Sequence, residues 1–368
     1  MRVTLQQEHL EISFDSGRVG HFDYLWLRDN CPSGFHPTTH ERVFDILSVP
    51  EDVRVAQAHV EAGALHLSWA QDAHQGVYNL DWLERFAESQ SDDMPVVTTW
   101  DASLRGTLPT VEYADVTQSK PGLQRWMEAL CEYGIVLLTG GPSREDEVLR
   151  LTGLIGPPRP TNFGATFDVI SKPNPNNNAY TAIELFAHMD LPNWHRPPDY
   201  QFLYCLTNSA PGGESVLVDG FRVANVLRDE DPEAFEVLTR VPMQFRFHDQ
   251  SADIQSVTPA IRLDARGEVR EIRFNRAIMG TLVADKAKMR SLYRAHRAFT
   301  ALSRDPALAV RLKLNPGEML CFDNLRVLHG RAAFDPNQGF RHLQGCYVDR
   351  EFVQSTLRVL RAEGESEL

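Results

Sequence analysis

Over its first quarter the chain alternates apolar and polar positions in short runs, "LEISF", "VRVAQAHV" and "LHLSW", separated by the turn-forming "DSGR" and "EAG". Period-two alternation between tight turns predicts strands of a small antiparallel sheet. "LDWLERFAES" reads as a short helix closing this unit, and the aperiodic, Pro-containing "QSDDMPVVTTWDASLRGTLPT" marks a boundary near residues 90–108. Residues 1–95 are expected to form a small N-terminal antiparallel β domain and residues 109–368 a second, larger one.

The pattern changes after the boundary. In "SKPGLQRWMEALCEYG", Ser119 can cap a helix, Pro121 fits its first turn and Gly134 its stop, after which "IVLLT" reads as a buried strand. Another helix is expected after Ser143. Residues 155–180 are rich in Pro, Asn and Gly, the composition of an ordered functional loop. Strands follow in "QFLYCLTN" and "SVLVDG", helix in "FRVANVL…EAFEVLTRV", a hairpin in "AIRLDARGEVREIRF", a helix at about 284–303, and two last strands around the "NPGE" turn. Mostly antiparallel strands with peripheral helices predict a β-sandwich or jelly-roll core.

Composition narrows the function classes. The net charge of -13 argues against a nucleic-acid partner, whose phosphates are held by Lys and Arg. No apolar run approaches the roughly 18 to 20 residues that span a bilayer, and no secretory pattern opens the chain, so a cytoplasmic, membrane-free protein is expected. Five scattered cysteines are an odd number for a disulfide framework and fit reduced thiols.

The candidate chemistry begins at "LFAHMDLPNWHRPP". His188 and Asp190 are one residue apart, so on a strand or strand end they share a face and can hold one metal. His329 in "FDNLRVLHGR" is the best second histidine, and two histidines with one carboxylate form the facial set of non-haem Fe(II), which leaves adjacent positions open. Twelve residues on, Arg341 in "GFRHLQGCY" offers a guanidinium that could grip the distal carboxylate of 2-oxoglutarate. His195, Asp219, Arg331 and His248 have no partner in this arrangement and are expected to be bystanders or supports.

"HMDLP", "GGESVLVDGF", "NPGEMLCFDNLRVLHGR" and "RHLQGCYVD" resemble the taurine/2-oxoglutarate dioxygenase superfamily, and "YLWLRDNCP" resembles the small N-terminal domain of its γ-butyrobetaine hydroxylase branch. The resemblance covers nearly the whole chain. It implies a double-stranded β-helix (jelly-roll) catalytic domain, Fe(II) on His188, Asp190 and His329, 2-oxoglutarate on Arg341 with help from Ser215, O2 as oxidant, and a homodimer. It also implies an aromatic cage for a trimethylammonium group, at positions occupied here by Phe163, Phe167, Tyr180 and Tyr347. Such a cation donates no hydrogen bond and is suited by ring faces.

For the anionic end, the resemblance implies Asn177 and Asn275, but "RFNRA" puts Arg276 where a second amide is expected. A full charge there suits a phosphonate, so hydroxylation of 2-(trimethylamino)ethylphosphonate next to phosphorus is the expected reaction. γ-Butyrobetaine or trimethyllysine hydroxylation is the alternative, and a non-catalytic jelly-roll binding protein is the rival from another class. The branch's N-terminal zinc cluster is degenerate: Cys31 is kept, Ser33 replaces a thiolate, and His36 and His74 are the remaining candidates, so the domain is expected to hold zinc through these or to rely on its core alone.

Overall fold

The computed structural model describes residues 1–87, 94–170, 178–283 and 285–366. The chain divides into two compact units, Met1–Asp93 and Met94–Leu368. Among the described residues no helix is long and apolar enough to cross a membrane.

The N-terminal unit contains two three-stranded antiparallel sheets. One joins Arg2–Leu5, His9–Ser13 and Val19–Asp23, and the other Val55–Glu61, Ala64–Trp69 and Gln75–Asn79. The alternation read from the sequence is realised in His9–Ser13 and Ala64–Trp69, where every second side chain is buried. Leu10, Ile12, Phe22, Leu65, Leu67, Trp69 and Tyr78 make one core. "LDWLERFAES" contributes the helix Leu80–Arg85, capped by Asn79, and a second short helix, Tyr24–Asp29, lies in "YLWLRD".

The larger unit is built on two sheets. A four-stranded sheet runs in the order Leu185–His188, Val327–Arg331, Ser215–Asp219, Ala309–Leu312, all antiparallel. A six-stranded sheet runs Thr110–Glu112, Ile135–Thr139, Met319–Asp323, Tyr200–Asn208, Arg341–Val348, Thr166–Val169. Only the pair Thr110–Glu112 and Ile135–Thr139 is parallel. Both sheets line one cavity, and helices cover their outer faces, which is the jelly-roll arrangement with peripheral helices.

Local chemistry explains the helices. Ser119 Oγ accepts from the Gly122 amide at 3.1 Å to start Lys120–Tyr133, and Gly134 at φ 68° ends it, a conformation that favours glycine. Trp126, Met127 and Leu130 of this helix are fully buried against Val136 and Leu138, and against Phe202 and Tyr204 from the other face of Tyr200–Asn208. That strand alternates: Tyr200, Phe202 and Tyr204 enter the helix-covered core, while Gln201 and Leu203 turn to the cavity. On the four-stranded sheet, the helices Gly220–Glu230, Pro232–Arg240 and Lys286–Leu302 pack over Val218 and Leu328.

Candidate active site

The cavity between the sheets has a volume of about 640 Å3. His188 ends the strand Leu185–His188 and is the register partner of His329, so the sheet itself brings together two imidazoles that lie 141 positions apart in sequence. Asp190 lies just past the strand end. Its Oδ1 is 3.5 Å from His188 Nε2 and 3.6 Å from His329 Nε2. The ligand atoms of the three residues all lie within 4.8 Å of one another. With metal–ligand bonds of about 2 Å, such donors can share one ion.

Supporting bonds fix this geometry. His188 Nδ1 is 2.8 Å from the Phe186 carbonyl, which it can reach only as a donor, so Nε2 is left with a free lone pair. Asn324, fully buried, accepts from the Asp190 amide at 2.8 Å and donates to the carbonyls of Asp190 and Pro198 at 3.0 and 2.9 Å. Tyr347 donates to Asp190 Oδ2 at 2.8 Å. Burial works to raise the Asp190 carboxyl, but the two histidines and Tyr347 outweigh it and hold the group ionised, well below the usual carboxylate range. Burial pushes the His329 imidazole down to about 3, against the pull of Asp190, so the ring is neutral and able to ligate. Met189 between the two ligands points into the core and is fully buried.

Arg341 is buried on the opposing sheet and lines the same cavity. Among the described residues no carboxylate forms an ion pair with it, and its Nε has no partner. Burial pushes its guanidinium down to about 10. An unneutralised buried cation facing a cavity is the arrangement that suits an anionic co-substrate. Ser215, the register partner of Arg331, is on the cavity wall as well.

The four rings gather around the same space. Phe167 and Tyr347 have centroids 5.2 Å apart, and Phe163 and Tyr180 complete the lining. The distant "FNR" segment arrives by backbone pairing: Met189 donates to the Phe274 carbonyl at 2.9 Å, and Asn275 Nδ2 donates to the Met189 carbonyl at 3.1 Å. Asn275 Oδ1 also accepts from the Ala277 amide, so most of this side chain serves the backbone and one Nδ2 proton is left for a ligand. Arg276 lines the cavity, with Nη1 3.4 Å from His296 Nδ1 and no acidic partner among the described residues. Asn177 lies outside the described residues.

The remaining candidates take other places. Cys31, His36 and His74 are not a group of three clustered ligands. Cys31 Sγ, Ser33 Oγ and His74 Nε2 instead form a hydrogen-bonded triangle with sides of 3.1 to 3.4 Å, while His36 Nδ1 accepts from the Thr38 and Thr39 amides. One sulfur and one imidazole do not make a closed zinc site. Two other three-residue groups, His9/Glu11/His21 and His59/Glu61/His66, are on strands of this unit. Arg331 and His248, read as bystanders or supports, both line the cavity. Asp219 is structural, ion-paired with the buried Arg326, and the His195 carbonyl accepts from Arg273. Phe247, whose ring meets Phe163 edge-on, and Phe186, under Arg304, are cavity residues that sequence reasoning missed, although the alternating "MQFRFH" held a signal for the first.

Residues 94–347 match the family described as "Taurine catabolism dioxygenase TauD, TfdA family", and residues 1–84 match "Gamma-butyrobetaine hydroxylase-like, N-terminal". A gamma-butyrobetaine dioxygenase of Pseudomonas sp. (strain AK-1) is 39% identical over 361 residues, which cover 96% of this chain and 94% of the relative. A mitochondrial trimethyllysine dioxygenase of Mus musculus is 31% identical over 96% of this chain and 86% of its own. The crystal structure of a taurine dioxygenase from Burkholderia xenovorans superposes on 69% of this chain and 89% of its own with a TM-score of 0.51 at 14% identity, a likeness of fold. The chain belongs to the TauD/TfdA family, in its γ-butyrobetaine hydroxylase branch, and is a non-haem Fe(II)- and 2-oxoglutarate-dependent dioxygenase.

Proposed function

We propose that the enzyme hydroxylates a small trimethylammonium compound with an anionic terminus, with γ-butyrobetaine as the leading substrate. The observation that carries this reading is the sharing of one cavity by the His188–Asp190–His329 set, the unneutralised Arg341 and four aromatic rings. The names of the relatives support the choice of substrate, since the 39% identical protein is a gamma-butyrobetaine dioxygenase.

In this reading His188, Asp190 and His329 hold Fe(II), and Arg341 with Ser215 takes the distal carboxylate of 2-oxoglutarate. The bound metal and co-substrate supply the oxidising chemistry. The chain's own work is placement. Phe163, Phe167, Tyr180 and Tyr347 receive the trimethylammonium head by cation–π attraction, on the order of 1–2 kcal/mol per well-placed ring. Asn275 and Arg276 face the anionic end, and together the two anchors choose the carbon presented to the metal. Tyr347 does double service, since the hydroxyl that tethers Asp190 belongs to a ring of the cage.

The phosphonate 2-(trimethylamino)ethylphosphonate is retained as a second reading on one observation: Arg276 brings an acid-free guanidinium to the cavity wall, where a carboxylate needs only amides. Turnover of γ-butyrobetaine, trimethyllysine and the phosphonate, measured side by side, separates the readings. γ-Butyrobetaine should give the highest kcat/KM, and a tenfold or greater preference for the phosphonate, lost in Arg276→Asn, would replace the first reading by the second.

A further inference from the structure

The chain passes from a short 3-10 turn, Asn178–Tyr180, into bends at 181–183, outside the sheets, where the partly buried backbone carbonyls call for side-chain donors. Arg331 takes three of them. Its Nη2 donates to Thr181 and Ile183 at 2.7 and 2.8 Å, and its Nη1 to Ala179 at 3.4 Å. The Ala182 carbonyl accepts from the Phe334 amide, and the Phe334 ring lies 4.8 Å from the Arg331 guanidinium. Arg331 itself is buried, at 4% exposure, two residues beyond His329 on the same strand. Its fork therefore ties the strand carrying one member of the triad to the segment carrying Tyr180.

We propose that Arg331 is a positioning residue that holds the Tyr180 segment over the cavity and so sets affinity for the cationic head of the substrate. The planar guanidinium is what the task requires, because an ammonium group on a flexible stem cannot meet three carbonyls from one fixed plane. Arg331 also lines the cavity, but its hydrogen bonds among the described residues go to backbone carbonyls of the Tyr180 segment, so the effect expected on the cationic head runs through Tyr180. Its ligand rests on the trimethylammonium reading above; its geometry does not.

Two measurements on the full-length enzyme test this. Hydrogen–deuterium exchange of the peptide spanning residues 178–184 should be about tenfold faster in Arg331→Gln than in wild type, with Arg331→Lys between them. In steady state, the KM for γ-butyrobetaine should rise on the order of 10- to 100-fold in Arg331→Gln, with partial rescue in Arg331→Lys, while the KM for 2-oxoglutarate stays within about threefold. Unchanged exchange overturns the proposal, as does an equal rise in both KM values. Should Arg331→Gln not fold, the Lys variant carries the same comparison: loss of protection confined to 178–184 supports the clamp, and wild-type protection overturns it. Wild-type enzyme inactive on every trimethylammonium probe would defeat the substrate reading, and the exchange experiment would still decide the clamp.

Discussion

Asp190 is held from every side: Oδ1 faces two imidazoles, Oδ2 accepts from Tyr347, and its backbone amide and carbonyl are bonded by Asn324. Tyr347→Phe keeps the ring and removes one of these bonds. Mn(II) titration should show about a tenfold loss of metal affinity, with the substrate KM changed by less than about threefold. His296 makes a different prediction. Burial, reinforced by Arg276, pushes its imidazole down to about 4. Between roughly pH 6.5 and pH 4 the unfolded chain binds a proton that the folded chain refuses, so this stabilisation is complete above that window and is lost as pH falls through it. At pH 5 the loss is about 2 kcal/mol. Denaturation at pH 7 and pH 5 should show wild type losing that much more than His296→Gln; equal losses would contradict the assignment.

The strand pair Leu185–His188 and Val327–Arg331 is the element on which the triad depends. Gly330 allows the close approach, since a Cβ there would stand 2.5 Å from the Leu185 carbonyl oxygen and 3.0 Å from the Ala187 nitrogen. Gly330→Ala should force the strands apart, cost about 1–3 kcal/mol in stability and separate His188 from His329. The check is thermal denaturation with and without Mn(II): the metal-dependent gain in Tm should vanish in the variant, whereas a lower Tm with an intact metal increment would show that the strands had not parted. Elements with strong local signals were legible, such as the helix Lys120–Tyr133 between Ser119 and Gly134 and the hairpin of Ile261–Leu263 with Val269–Ile272. Thr166–Val169 was not, because four residues within a Gly-, Pro- and Asn-rich stretch become a strand only by pairing with Leu343–Cys346. The terminal helix Arg350–Ser366 did carry a signal, with Val353, Leu357 and Leu360 buried at helical spacing.

At the scale of the whole chain, residue type and spacing made the triad and Arg341 legible, because few side-chain sets suit Fe(II) and a dicarboxylate. Their convergence was not legible: it arises from sheet register between segments far apart in sequence, and the bonds from Asn324, Arg331 and Asn275 that hold the parts are side chain to backbone, which leaves no periodic trace. Of the two readings of the N-terminal domain, the core-alone one is favoured for a related reason, as motif spacing did not reveal that His36 turns to its own loop while Ser33 and His74 bond Cys31. Metal analysis after gel filtration should accordingly find one tightly held ion per chain, and a second, with zinc identified, would contradict the geometry. The most direct test of the account is to incubate the enzyme with Fe(II), 2-oxoglutarate, O2 and γ-butyrobetaine and to measure succinate and substrate mass together. The prediction is succinate matched about one to one by a product one oxygen heavier, and succinate released without any oxygenated trimethylammonium product, from this compound or its phosphonate analogue, would contradict it.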